Sequence, residues 1–354
     1  MRRLLILLLF TQPFLYANPS NIHAFLAKKD TFNLSFGFEK MNDALDIFNI
    51  KEREVDTDSK NYTSLGDMEG INLNMGYTFS EKWYLNINLN QKKLNYLGSK
   101  LNSKRVDIYI RQQLYLSNHW AFAMDLGYVT NRADDASMDS VEAINNTLED
   151  ILPNKEIELK EIDEKQVLFY RGDDKSVKTV ELENPAYIKV KDTSDNGFYL
   201  RAIASLRQKN WLFDAYLGYS EVEIENKIES SIFDEPNPDL QKELENIRLV
   251  QKRKDIIYFG GMGVKYNFNN KWQSDFNYKY MHIFRISCLD NSNNNHVFNL
   301  NLTHKLNSKI NFYLGGKVML SQLNGEIPYI YTKYNKGSFH HKYGFLNGGV
   351  SYQF

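Results

Sequence analysis

Twelve charged side chains fall at alternate positions of stretches whose other positions are mostly apolar: Arg105, Asp107, Arg111, Asp125, Arg201, Arg207, Asp214, Lys265, Asp275, Lys279, Lys305 and Lys317. Charges spaced in this way share one face of an extended chain. Such a face can pair its charges across neighbouring strands, or bias the ions and solutes that pass it. Cations outnumber anions in the set. Asp107 or Arg111 can reach Asp125, and Arg207 can reach Asp214, if the strands that carry them are neighbours. A second group, His282, His296, His304, His340 and His341, gathers late in the chain. Histidine beside a serine would suit hydrolysis, but no Ser-His signature surrounds these residues.

Other chemistry is missing from the sequence. It has no phosphate-binding glycine loop, no HExxH and no Gly-x-Ser-x-Gly elbow. Cys288 is the single cysteine, so neither an internal disulfide nor a cysteine metal site is expected, and it reads as an unpaired loop thiol. No metal or cofactor is expected. A formal net charge of -1 gives no basic field for nucleic acid.

The elements that position the charges are strands. Trp83, Leu85, Ile87 and Leu89 oppose Tyr84, Asn86, Asn88 and Asn90. Trp120, Phe122, Met124, Leu126 and Tyr128 oppose Ala121, Ala123, Asp125 and Gly127. The same period of two runs through stretches beginning at Trp211 and Ile310, and less cleanly at Trp272, where Ser274 interrupts. It also runs through the stretches that precede them, with Gln112 breaking the face of Val106, Ile108 and Ile110. Twelve strands are predicted, at 31–40, 68–79, 83–96, 103–117, 120–130, 195–208, 211–225, 255–268, 272–286, 296–306, 309–322 and 341–354.

Five of the turns between them are short and alike. Ser80-Glu81-Lys82, Ser117-Asn118-His119, Gln208-Lys209-Asn210 and Asn269-Asn270-Lys271 lead into Trp83, Trp120, Trp211 and Trp272, and Asn307-Ser308-Lys309 leads into Ile310. All 4 tryptophans of the chain sit at this one position. The alternate connections, 41–67, 97–102, 131–194, 226–254, 287–295 and 323–340, are mostly long. Short turns on one side and long loops on the other, with an aromatic or apolar residue at the membrane edge after each short turn, describe a transmembrane barrel. This reconciles a mean hydropathy of -0.51 with 14% aromatic residues, since only alternate strand residues face lipid. The tryptophans would form a periplasmic girdle, and the charged face would line the lumen.

The end of the chain adds a resemblance. Val350, Tyr352 and Phe354, in Val350-Ser351-Tyr352-Gln353-Phe354, resemble the final strand of bacterial outer-membrane β-barrel proteins. The resemblance implies recognition by the barrel-assembly machinery and identifies no narrower family. Some twelve-stranded members of that class are lipid hydrolases, which keeps the late histidines in view. At the start, Met1-Arg2-Arg3 followed by Leu4 to Phe10 and Tyr16-Ala17 reads as a secretory signal over 1–17.

The expected protein is therefore all-β: an antiparallel up-and-down barrel of twelve strands over 31–354, preceded by a short periplasmic segment at 18–30, with no separate plug domain. It would be integral to the Gram-negative outer membrane with both termini periplasmic. Its expected contacts are membrane lipid and small polar solutes or ions. The connection 131–194 has 16 acidic and 9 basic residues. Val141, Ile144, Leu148, Ile151 and Leu152 recur there at helical spacing, and 167–170 and 187–190 look like strands. A second helical stretch follows Pro238, through Leu240, Leu244, Ile247 and Val250. Three functions are open: a porin-like channel, a surface interaction barrel acting through the acidic loop, or a lipid-modifying enzyme.

Overall fold

The computed structural model describes residues 22–41, 68–96, 99–141, 144–145, 148, 156–172, 175–244, 249–286, 294–320 and 342–354. The expected signal, most of connections 41–67 and 287–295, all of 323–340, and Cys288, Ile151, Leu152, Ile247, His340 and His341 lie outside those residues.

The strands are β1 (Thr31–Met41), β2 (Met68–Ser80), β3 (Trp83–Tyr96), β4 (Ser99–Leu116), β5 (Trp120–Ala133), β6 (Ala136–Met138), β7 (Ile157–Ile162), β8 (Lys165–Arg171), β9 (Val177–Glu181), β10 (Ile188–Gln208), β11 (Trp211–Ser230), β12 (Val250–Asn267), β13 (Trp272–Ile286), β14 (Asn294–Lys305), β15 (Ile310–Leu320) and β16 (Lys342–Gln353). β1–β5 and β10–β16 form a closed antiparallel barrel of twelve strands, as the alternation predicted. Sequence neighbours pair throughout, β10 bridges β5 to β11, and β16 closes on β1 from Asn33↔Gln353 to Met41↔Phe345. No barrel strand is left with a free edge, which is the condition for spanning hydrocarbon with strands.

The short turns explain their own sequences. In four of the five the first residue is Ser or Asn, and in three of these its side chain accepts the main-chain N–H that restarts the ladder. Ser117 Oγ accepts from Trp120 N at 3.0 Å, Asn269 Oδ1 from Trp272 N at 2.9 Å and Asn307 Oδ1 from Ile310 N at 2.8 Å. In the Gln208 turn, Lys209 takes a φ of 51° instead. The aromatics that follow sit on the outer face. Trp83 stacks on Phe79, Trp120 on Phe122 and Trp211 on Phe213, and Trp272 packs on His304 with ring centroids 4.5 Å apart. Val350 and Tyr352 belong to β16, and the Phe354 ring packs between Phe32 and Tyr352.

The predicted apolar faces point outward. Leu126, Leu217 and Leu314 are 58%, 74% and 58% exposed, whereas Asp125 between such positions is 0% exposed. The irregularity at Gln112 is a β-bulge: the β4–β5 register shifts between Gln113 and Tyr115, so Gln113 is buried while Leu114, Tyr115 and Leu116 are all exposed.

Several strands run farther than predicted. β4 starts at Ser99, so the connection expected at 97–102 is largely strand. β10 and β11 have 21 and 20 residues, against the ~9–11 needed to cross a bilayer. Their outer ends form a projecting hairpin. There Glu229 accepts from Lys191 at 2.5 Å and Lys227 at 2.8 Å, and these hydrogen bonds pull its carboxyl down to about 2.

That hairpin carries a folded unit built from both large connections. β7, β8 and β9 make a separate antiparallel sheet. A helix over Pro238–Leu244 begins as its sequence dictates, with Asn237 Oδ1 accepting from Leu240 N at 3.0 Å and proline in the first turn. Helical residues Ile144 and Leu148, sheet residues Leu159, Leu168 and Val180, hairpin residues Ile188 and Ile228, and Leu240 and Leu244 share one buried core. Asn145 joins helix to sheet, donating to Leu159 O at 2.8 Å and accepting from Leu159 N at 2.6 Å. The periodicity read for 131–194, and after Pro238 as far as Leu244, thus marks one core shared by two connections, whereas Val250, expected on the helix, opens β12 and is exposed.

Because this core draws on the barrel only at the projecting ends of β10 and β11, Leu168→Ala should loosen the unit and leave the rest of the barrel intact. A buried leucine truncated to alanine costs about 2–5 kcal/mol. Limited proteolysis should then cut within 139–186 or 231–248 at least tenfold faster, while the barrel keeps its heat-modifiable gel mobility. Unchanged cleavage would show that the unit does not depend on this core.

Candidate functional site in the barrel lumen

All twelve charged positions fall on inward-facing parity, but the structure sorts them into distinct groups. The tightest joins β4, β5 and β10, where the register sets Arg111 opposite Asp125 and Asp125 opposite Arg201. Arg111 grips both oxygens of Asp125, from Nε at 2.6 Å and from its terminal nitrogen at 2.9 Å. Arg201 approaches from the other side, with Nε 2.9 Å from Oδ2 and its terminal nitrogen on the same oxygen. The Asp125 side chain is 0% exposed. One carboxylate between two guanidinium groups leaves this cluster one positive charge. Tyr84, Tyr109 and Tyr199 put their ring faces toward those guanidiniums, at 5.4–6.0 Å from ring centroids, which spreads that charge over aromatic faces. Tyr199 fits because Gly127 lies beneath it: a Cβ there would meet the ring at 2.2 Å. Its hydroxyl donates to Asp107 at 2.9 Å, and Arg105 stands 4.0 Å from Asp107.

Toward the short turns, Lys265 faces Asp275 at 3.7 Å, and Lys305 reaches Asn267 Oδ1 at 3.4 Å. Arg207 and Asp214 are not drawn together as expected. Asp214 accepts from Ser205 Oγ at 2.6 Å, and Arg207 lies 4.0 Å over the ring of Phe25. Toward the loops, Lys279 sits 4.8 Å over Phe259, while Lys317 joins Glu39 at 3.0 Å and Phe345 at 4.0 Å.

The partner of Arg207 was not foreseen. The segment at 18–30 was expected below the barrel, yet His23, Ala24 and Phe25 are buried inside it. Arg111 donates to His23 O at 2.5 Å, Gln113 to Ala24 O at 2.7 Å, and Ala24 N donates to Ser205 Oγ at 2.7 Å. Phe25 joins Ala121, Ala123, Ile203 and Leu212 in an apolar cluster. From there the chain returns to β1, where Asp30 N donates to Thr78 O at 2.7 Å. The segment therefore runs from the β4–β11 wall across the short-turn end to β1, as a strap inside the mouth. The inward small residues Ala121 and Ala123 open room for it, but nothing in the strap's own residues marks an inserted segment.

Parity also puts inside several charges that were passed over. Lys92 holds Glu39 at 2.9 Å, and Arg253 holds Asp255 at 2.8 Å with Arg285 at 3.9 Å. Their alternation with apolar neighbours is the signal that would have found them. Of the five late histidines, three are described, and these stand on the outer face with partners: His304 on Trp272, His296 against Tyr278 O–H at 2.9 Å, and His282 against Asn294 Oδ1 at 2.8 Å.

If the Arg111–Asp125–Arg201 cluster holds strap to wall, its carboxylate is indispensable. In Asp125→Asn two buried guanidiniums would face each other uncompensated, a loss of roughly 3–5 kcal/mol. The urea midpoint for barrel unfolding in micelles, followed by gel mobility, should drop; an unshifted midpoint would show the cluster to be energetically idle.

A family model described as an outer membrane protein beta-barrel domain matches residues 164–305. No curated protein matches the sequence. Among solved structures, the translocator domain of the autotransporter NalP from Neisseria meningitidis aligns with TM-score 0.49 and 7% identity, covering 94% of this chain and 91% of that one. The Ralstonia pickettii toluene transporter TbuX aligns with TM-score 0.42 and 9% identity, covering 95% and 92%. The KdgM porin gives 0.39 and 9%, covering 91% and 99%. None of the three is similar enough to carry its function over.

Proposed function

We propose that this closed twelve-stranded barrel, part of which matches an outer-membrane β-barrel domain, is an outer-membrane passive channel for small polar solutes whose mouth is barred by residues 22–28. One observation carries this reading: a stretch of main chain lies inside the barrel. A lumen filled by its own wall has no room for that, so the strap occupies space that is a passage when the strap leaves. The strap is held mostly by single hydrogen bonds and one aromatic ring, each worth about 0.5–3 kcal/mol net, which suits a bar that can be displaced. The polar inner wall supports solute passage over a structural barrel. From the short turns on the strap's side we infer that the bar faces the periplasm and the folded unit faces outward. Charged lumen residues then tune what passes.

The test ties the strap down. Ala24→Cys and Ser205→Cys, in a Cys288→Ser background, put two thiols where Ala24 N meets Ser205 Oγ. Bridged by a short bis-maleimide, the protein should be silent in planar bilayers. Unbridged, it should show discrete steps, with at least tenfold more open time. Equal records from both forms, or silence from both, would sink the reading.

A second role is favoured by the core that the two large connections share: the unit at the loop end presents a surface for binding. Cells displaying the barrel without residues 139–186 should attach to surfaces less than cells displaying the full chain. Equal attachment at equal display would reject it.

A further inference from the structure

The two sides of the lumen differ in kind. The strap, the Arg111–Asp125–Arg201 cluster and the Lys265–Asp275 pair belong to the wall from β4 through β5 and β10 to β13. On β15, β16, β1, β2 and β3 the inward rows between the short turns and the Lys317–Glu39–Lys92 triad carry no formal charge. Read across the register, one row is Tyr313, Gly349, Gly37, Asn72 and Asn90. The next is Asn311, Ser351, Ser35, Asn74 and Asn88. Some of these amides satisfy each other: Asn74 and Asn86 exchange hydrogen bonds at 3.1 Å, and Asn311 donates to Ser351 Oγ at 3.3 Å.

Others do not. Asn33 Oδ1, Ser35 Oγ, Asn72 Oδ1, Asn347 Oδ1 and the Tyr313 hydroxyl have no hydrogen-bond partner among the described residues. Asn33, Ser35 and Tyr313 are 6%, 1% and 6% exposed. A buried polar atom without a partner costs about 1–3 kcal/mol, so several on one inner wall require something to meet them. Tyr313 is also set flat against that wall: a Cβ on Gly37 or Gly349 would meet its hydroxyl oxygen at 2.1 or 2.6 Å. Two glycines thus keep an aromatic platform in place beside the unpartnered oxygens.

We propose that this wall is a binding track for neutral polyhydroxylated solutes, sugars above all. The proposal deepens the channel reading and rests on it for its role in passage. The chemistry is selective in three ways. An amide offers a donor and an acceptor side by side, as a sugar hydroxyl does. A carboxylate or phosphate would meet unpaired acceptor oxygens with no cation in those rows. A metal cation would have to pass Lys92 and Lys317 at the triad. A tyrosine face accepts the apolar face of a sugar ring.

The probe is maltotriose, added to the full folded barrel in lauryldimethylamine oxide, a detergent without a sugar head group, and followed by saturation-transfer NMR and calorimetry. Wild type should bind it. Asn33→Ala with Ser35→Ala and Asn72→Ala should weaken binding at least tenfold, and Ser220→Ala, on the facing wall, should leave it unchanged. Gel mobility checks folding, and Asn72→Asp alone serves if the triple variant does not fold; it too should bind at least tenfold more weakly. The proposal is overturned if wild type does not bind maltotriose, or if the wall variants bind as well as wild type. Binding is read without conductance, so the two readings fail separately. Conductance steps without maltotriose binding would sink the track alone, and binding by a protein silent in bilayers would sink the channel alone.

Discussion

Everything in this structure depends on the pairing of β16 with β1. In hydrocarbon an unpaired main-chain N–H or C=O costs several kcal/mol, and an open twelve-stranded sheet would expose two rows of them. The register from Asn33↔Gln353 to Met41↔Phe345 removes both rows at once. Closure then gives each strand an inside and an outside, and the strict period of two makes that division absolute. Leu217 faces out and Tyr216 faces in because they are adjacent. No other property of the two residues is needed.

Closure also creates an interior that must be made stable without becoming oil. The wall from β4 to β13 does this with charge. Asp125 is tolerable at 0% exposure because two guanidiniums meet it from neighbouring strands, and tyrosine rings lie over those guanidiniums in turn. Glycine provides the space for inward rings on both walls: Gly127 under Tyr199, and Gly37 and Gly349 under Tyr313. A glycine and an aromatic therefore act as one inward unit across two strands, although they are far apart in the chain. The strap exploits the same wall, donating and accepting where Arg111, Gln113 and Ser205 present polar atoms inward.

Outside the membrane the constraint is different. β10 and β11 continue as a hairpin beyond what the bilayer requires, and water can satisfy their edges. Their inner residues Ile188 and Ile228 need cover, which comes from two connections that are separate in sequence. Neither connection closes a core alone: the three-stranded sheet has one apolar face, and the Pro238–Leu244 helix is short. Together they do.

The sequence by itself determined the barrel: strand count, the outward faces, the short-turn end with its tryptophans, and the inward parity of the twelve charges. These are local properties, since period two, turn chemistry and the Trp that follows four of the short turns need no knowledge of distant contacts. The same local signal covered Glu39, Lys92 and Asp255, had parity been followed to the strand ends. Tertiary structure alone decided which charges meet, because a salt bridge depends on register and reach. Arg111–Asp125 formed, while Arg207 turned to Phe25 and Asp214 to Ser205. It alone decided that residues 22–28 lie inside the barrel, since His23, Ala24 and Phe25 have no periodicity and owe their place to atoms on β4 and β10. It also decided that two external connections share one core. Such contacts join residues far apart in the chain, Ala24 and Ser205 by 181 positions, and a pattern read along the chain has no term for that distance.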